Sequence, residues 1–163
     1  MPKPPRKRPA SPAPAAATPG RPGGLDSPLA ASPGFLVRLA QLRAFDEFHR
    51  SFAGLGITPA GYGVLALVAA NPGVRPGAIA EELRVKPSNI AVLVNNLVAA
   101  GLVERSTDEA ELRASLLHLT EKGRAAWAEM ERIHEGTDAR FAEALSPAER
   151  RHFVGLLQKL LQR

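Results

Sequence analysis

The segment around which the other predicted elements are arranged reads Pro87-Ser-Asn-Ile-Ala-Val-Leu-Val-Asn-Asn-Leu-Val-Ala-Ala-Gly101. Its larger apolar residues recur at helical spacing, which predicts a helix with one apolar stripe formed by Ile90, Leu93, Val94 and Leu97. The residues off that stripe are small or carry amides, and none is acidic. Such a face can lie against base edges, because Asn is suited to adenine and a short aliphatic side chain to the thymine methyl group.

The segment just upstream, residues 76–84, predicts a shorter helix that is joined to the first one through Val85 and Lys86. Two short helices with a tight connection favour a helix-turn-helix, in which the second helix carries the polar face. A pair of core helices with a solvated outer face is the alternative, and this segment alone leaves both interpretations open. Gly101 is placed to end the second helix in the left-handed conformation.

The composition is that of one globular domain, or of one domain with a tail: 163 residues, of which 45% are hydrophobic. The absence of cysteine excludes disulfides, thiolate metal sites and a cysteine nucleophile. No apolar run approaches the roughly 18 residues of a membrane-spanning helix. The basic N-terminus lacks the apolar core of a signal peptide, so a cytoplasmic protein is expected.

Residues 1–32 are predicted to be a disordered basic tail. They contain nine of the fifteen prolines, and five basic side chains against one acidic one give them a net charge of +4 out of the chain's +5. Such a segment cannot bury enough apolar area to offset its ordering entropy. It is interpreted either as a basic arm that contacts DNA phosphates or as a solubilising tail.

Two helices are predicted ahead of the helix-turn-helix. The first, from Pro33 to about Ala53, carries four of the six phenylalanines. This is more aromatic surface than a small DNA-binding unit needs, which suggests packing against a second subunit. Thr58-Pro59 is a strong start for the second helix, which extends to Ala70 and is apolar nearly all round, so it should be central.

After Gly101, two short alternating runs around a charged turn predict a β-hairpin, with arms at residues 102–106 and 113–119. A hairpin directly after a recognition helix is a wing, and its tip can place Arg113 in the minor groove. Alternatively, Arg113 pairs with Asp108 or Glu111 and stiffens the turn.

The C-terminal part is predicted to be helical. One helix begins with Thr120 as its cap and extends to about His134, with Gly136 as a break and a short helical piece at residues 141–145. Ser146-Pro-Ala-Glu149 is a capping box that starts a strongly apolar last helix. Paired with the first helix, it could form a dimerisation layer.

The motifs of an enzyme are not found in the sequence. It contains no Gly-rich phosphate loop and no nucleophile elbow, and its histidines (49, 118, 134 and 152) show no metal-ligand spacing. No catalytic residue, metal or cofactor is therefore predicted.

This order of elements resembles the MarR family of bacterial winged helix-turn-helix regulators. The resemblance covers about residues 35–163 and is most specific from Gly101-Leu-Val-Glu-Arg105 to Leu119-Thr-Glu-Lys-Gly123. It implies a mostly α fold with a small β-hairpin wing (α+β): a winged helix-turn-helix DNA-binding region at 57–120, and dimerisation helices at 33–56 and 121–163. It further implies a homodimer that binds a pseudo-palindromic operator in double-stranded DNA and is released by a small aromatic or anionic effector.

The chain departs from the family pattern in its charges. Leu112 stands where a second basic wing residue is usual, and Ala91 and Val92 stand where the recognition helix often has an arginine. Residues 71–124 carry seven basic and seven acidic side chains. Attraction to phosphates must therefore come from local clustering or from the tail. An architectural or adaptor winged helix that does not recognise sequence is the alternative function.

On the resemblance, eight residues are expected at the DNA. Those near bases or adjacent phosphates are Ser88, Asn89, Asn95 and Asn96; those holding phosphates are Arg84, Lys86 and Arg105; and Arg113 would enter the minor groove.

The effector pocket of the family lies between the dimerisation helices and the winged domain. Arg38 could hold a carboxylate there, His49 or Tyr62 a hydroxyl, and Phe45 and Trp127 could cover a ring. Tyr62 and Trp127 could instead be core residues, and His49 a capping or surface group.

Overall fold

The structure is a computed structural model that describes residues 28–107 and 115–162. In chain order, these residues form α1 (Pro33–Ser51), α2 (Pro59–Ala70), α3 (Pro76–Glu82), α4 (Pro87–Ala99), β1 (Val103–Thr107), β2 (Ser115–Leu119), α5 (Glu121–Phe141) and α6 (Pro147–Leu161). The predicted mostly α fold with a small β-hairpin is confirmed.

The predicted helix starts are confirmed by their capping hydrogen bonds. The Thr58 hydroxyl accepts from the backbone amide of Gly61 at 3.1 Å, and the Thr120 hydroxyl accepts from that of Gly123 at 2.9 Å. Ser146 and Glu149 form the reciprocal capping box. In contrast, α4 begins after Lys86 with no side-chain cap.

The core forms where α2 and α4 meet the hairpin. Val64, Leu65 and Val68 of α2 are buried, which confirms the central position predicted for that helix. The apolar stripe of α4 faces them, with Ile90 and Val94 fully buried. This packing fixes α4 on one side and leaves its other side to solvent.

The hairpin joins the helix-turn-helix to α5. β1 pairs antiparallel with β2, from Val103 opposite Leu119 to Thr107 opposite Ser115. Val74 forms an isolated bridge to Leu117, so the segment after α2 is held against the middle of β2. Residues 108–114, which contain the predicted turn, lie outside the described residues.

The predicted break at Gly136 is wrong, as is the separate helical piece at residues 141–145. Helix α5 continues through Gly136 to Phe141, and a turn follows. A glycine costs only about 1 kcal/mol in a helix interior. Packing against α1 outweighs that cost, because Met130 and Thr137 of α5 are both buried.

Helices α1 and α6 keep much apolar surface exposed. Phe48 of α1 and Phe52, which directly follows that helix, are buried, whereas α6 has no buried residue. Within the described residues, no helix combines the length and the apolar character needed to cross a membrane. The exposed large apolar side chains of the two helices are Leu36, Val37, Leu42, Phe45, Val154, Leu156, Leu160 and Leu161.

Candidate nucleic-acid interface and ligand cavity

The outward face of α4 is an exposed row of small and amide side chains. Val92 lies within it with 58% of its surface exposed. No acidic side chain interrupts this face, so it can approach the edges of bases without like-charge repulsion from phosphates. The predicted residues Ser88, Asn89, Asn95 and Asn96 are all exposed on it.

A hydrogen bond connects two residues that were predicted to contact DNA independently of each other. Arg105 on β1 donates from Nη2 to the Asn95 side-chain oxygen at 2.7 Å. This hydrogen bond holds the amide in one orientation, in which its nitrogen is available as a donor. Asn95 is therefore preorganised by the hairpin, and the exposed Arg105 is tied to α4.

Two predicted phosphate contacts lie in the connection between α3 and α4. Lys86 is exposed and its side chain makes no capping bond. Arg84 has a positive φ of 53°, and its Nη2 donates to the backbone oxygen of Leu161 at 2.9 Å. Arg84 is thus directed towards the end of α6, which the sequence did not indicate. Arg113 and residues 1–27 of the tail lie outside the described residues.

A cavity of about 290 Å³ opens between α1, α2 and α5. Two of the five predicted ligand residues, Phe45 and Tyr62, line it, and Arg38, His49 and Trp127 do not. Trp127 instead packs on Tyr62, with ring centroids 5.4 Å apart, and His49 meets the edge of Phe48. Arg38 is exposed on α1. The remaining lining residues are Ala44, Phe48, Pro59, His134, Thr137, Asp138 and Phe141.

The prediction missed the α5 side of this cavity. His134, Thr137 and Phe141 recur at spacings of three and four, which puts them on one helical face. That signal was present in the sequence, but the assumed break at Gly136 separated His134 from the other two. No cluster of three or more potential metal ligands occurs among the described residues.

The pKa of the Tyr62 phenol reflects the electrostatic potential in the cavity. Burial, together with the nearby carboxylates of Glu131 and Asp138, raises the pKa of its phenol to about 12. The Tyr62 ring also lies 4.7 Å from the imidazole of His134, centroid to centroid. The cavity thus combines aromatic walls with a locally negative potential.

A second apolar groove, of about 390 Å³, lies between α1 and α6. Gln41 is the only polar residue among the described residues that line it. An apolar groove of this kind favours coverage by another apolar surface. Its walls are formed by Leu36, Val37, Ala40, Gln41, Ala44, Phe141, Phe153 and Leu157.

Comparison with known proteins places these features in a family. Residues 55–114 match the model of the MarR family. A protein of Thauera aromatica, assigned as a transcriptional regulatory protein for the hcr operon, is 38% identical over 128 residues, which cover 78% of this chain and 77% of that protein.

Two solved structures share the fold. The transcriptional repressor CouR, bound to a 23-mer DNA duplex, has a TM-score of 0.76 at 30% identity, over 80% of this chain and 92% of that one. BpsR of Bordetella bronchiseptica, whose DNA binding is regulated by 6-hydroxynicotinic acid, has a TM-score of 0.74 at 27% identity. The match covers 79% of this chain and 98% of that one.

Proposed function

Because the chain belongs to the MarR family of transcriptional regulators, we propose that it is a repressor that binds a pseudo-palindromic operator as a homodimer. We further propose that a small aromatic molecule releases it from that operator. The observation that carries the proposal is the exposed, acid-free face of α4, which is held outward by a fully buried opposite face. No catalytic step is part of the proposal.

Sequence recognition is assigned to the amides of α4. A two-fold axis would place two copies of α4 in successive major grooves about 34–36 Å apart. Asn89 and Asn95 are then positioned for base edges, Val92 for a thymine methyl group, and Lys86 for a phosphate. Arg105 supports this arrangement through its hydrogen bond to Asn95. Arg113 retains its proposed role in the minor groove, and Arg84 retains its proposed role at a phosphate.

Dimerisation is assigned to the apolar surface of α1 and α6. Leu160 and Leu161 are 69% and 59% exposed, which is unfavourable in water unless another surface covers them. A second copy of the same surface would bury both helices in a symmetric interface.

Ligand-induced release of the protein from its operator is assigned to the cavity between α1, α2 and α5. A ligand there would contact the dimerisation helices and the core of the DNA-binding region at once. It can shift the balance between two dimer geometries if it binds them with different affinities. The regulation of BpsR by 6-hydroxynicotinic acid supports an aromatic effector for a chain of this fold.

The proposal is tested by selecting bound fragments from the genome of origin and footprinting them. A protected palindrome supports it. Binding to all fragments alike would instead favour the architectural alternative, which the neutral charge balance of residues 71–124 supports.

Substitutions then test which residues contact the bases. Asn89→Ala should weaken the free energy of DNA binding by about 1–3 kcal/mol at one operator position. Asn71→Ala, which removes the same group from the end of α2, should leave the operator profile unchanged. A profile unaltered by Asn89→Ala would remove that residue from the interface.

A further inference from the structure

Among the described residues that line it, the cavity proposed to bind the effector has one formal anion and no basic residue other than an imidazole. Its polar lining groups are the phenol of Tyr62, the imidazole of His134, the hydroxyl of Thr137 and the carboxylate of Asp138. The rest of its wall is apolar. A ligand carboxylate placed here would find no guanidinium or ammonium group among the described lining residues.

Four arginines of the flanking helices lie within ion-pair distance of carboxylates outside the cavity. These pairs are Arg43 with Glu143 at 3.2 Å, Arg50 with Glu47 at 2.7 Å, Arg132 with Glu129 at 2.7 Å, and Arg140 with Glu47 at 3.6 Å. Moving one of these arginines into the cavity would break its pair, and Arg38, which is exposed on α1, does not line the cavity.

The field inside the cavity opposes a second negative charge. Burial and the carboxylates of Glu131 and Asp138 raise the pKa of Tyr62, which means that the anionic form of a phenol is disfavoured at this place. A carboxylate on a ligand would meet the same desolvation and the same neighbouring charges.

Three of the four polar lining groups, those on α5, are suited to accepting a hydrogen bond, and the fourth, the Tyr62 phenol, can also donate one. The Thr137 hydroxyl already donates to the backbone oxygen of Ile133 at 2.9 Å, and the Asp138 carboxylate can only accept. Nδ1 of His134 is buried and has no hydrogen-bond partner among the described residues. A hydroxyl hydrogen on the ligand would satisfy one of these acceptors.

We propose that this cavity takes an uncharged aromatic molecule bearing a hydroxyl group, and that it discriminates against aromatic carboxylates. The rings of Phe45, Phe48 and Phe141 would cover the aromatic plane, and Asp138 or His134 would accept from the hydroxyl. A volume of about 290 Å³ suits a ligand of one or two rings. The inference rests on the proposed effector site and narrows its ligand class.

The test uses three probes of nearly equal shape and the full-length protein. Calorimetric titration compares 4-hydroxybenzamide with 4-hydroxybenzoate, which adds a negative charge, and with benzamide, which lacks the hydroxyl. The hydroxyamide should bind about tenfold more tightly than either. In Asp138→Asn, the preference over the acid should shrink several-fold. Glu135→Gln makes the same change of charge on an exposed position of α5 outside the cavity, and should leave the preference unchanged.

Tighter binding of the acid than of the hydroxyamide would overturn the inference, as would an absence of binding by all three probes, or equal effects of the two variants. Operator release is measured separately by fluorescence anisotropy. Binding of the hydroxyamide without release would refute the proposed regulation and leave the ligand class standing. Release by the acid alone would refute the ligand class and leave the regulation standing.

Discussion

At the level of single residues, Gly123 is packed directly against the backbone of Leu102. A methyl group at Gly123 would overlap the Leu102 carbonyl oxygen, a backbone atom that cannot move aside. We expect Gly123→Ala to lower the free energy of unfolding by about 1–3 kcal/mol, through overpacking at the start of α5. Urea denaturation followed by circular dichroism measures the change.

Gly136→Ala is the matched control, in the same helix. A methyl there meets only the flexible end of the Arg140 side chain, at 3.4 Å. Because alanine is the better helix former by about 0.8–1 kcal/mol, this variant should be neutral or stabilised. Equal losses in both variants would refute a specific clash at Gly123.

The ionisation of Tyr62 is a second prediction at this level. Tyr62 is the only tyrosine in the chain, so the absorbance of its phenolate can be followed without interference from another tyrosine. The titration midpoint should lie near 12 in the folded protein and near the ordinary 10.0 in urea.

The sign of the linked effect on stability follows from these two values. Between pH 10 and 12 the unfolded chain loses the Tyr62 proton while the folded chain keeps it, so stability falls as the pH rises. This loss is absent below pH 10, and Tyr62→Phe should abolish the fall in stability between pH 10 and 12. Identical midpoints in the folded and denatured protein would contradict the described surroundings of Tyr62.

At the level of the elements, the connection between α3 and α4 is expected to anchor the recognition helix to a phosphate. Lys86→Ala should weaken binding to all DNA sequences alike and lower the slope of log K against log salt by about 1 for each phosphate that Lys86 neutralises. Anisotropy titrations at several salt concentrations measure the slope.

Arg132→Gln on α5 removes the same charge away from α4 and serves as the control, since Arg132 is paired with Glu129. It should change the slope little. If the two variants flatten the salt dependence equally, the general charge of the protein accounts for the effect, and Lys86 has no specific phosphate partner.

At the level of the whole molecule, the exposed apolar surface of α6 is expected to hold the dimer together. Leu160→Glu should raise the dissociation constant of the dimer roughly tenfold or more, because a charge would be buried without a partner. Sedimentation equilibrium measures this constant. Leu55→Glu changes a 40% exposed leucine between α1 and α2, and should leave dimerisation unaffected. A dimer that tolerates Leu160→Glu would place the interface elsewhere.

Local pattern alone determined most of the elements and the outward face of α4. The apolar spacing of Ile90, Val94 and Leu97 predicted which side of the helix is buried, because a period of 3.6 residues puts these side chains on one stripe. The two capping threonines and the capping box at Ser146 predicted three helix starts, because capping hydrogen bonds form within a single turn.

Only the tertiary structure decided what lies far apart in the chain. Packing against α1 carries α5 through Gly136, and that continuity brings Thr137 and Asp138 to the cavity beside Tyr62. The hydrogen bond from Arg105 to Asn95 depends on how the hairpin folds back on α4. Such contacts depend on how the elements pack against one another, and the spacing of residues within one element does not determine that packing. For this reason, three of the five predicted ligand residues lie outside the cavity.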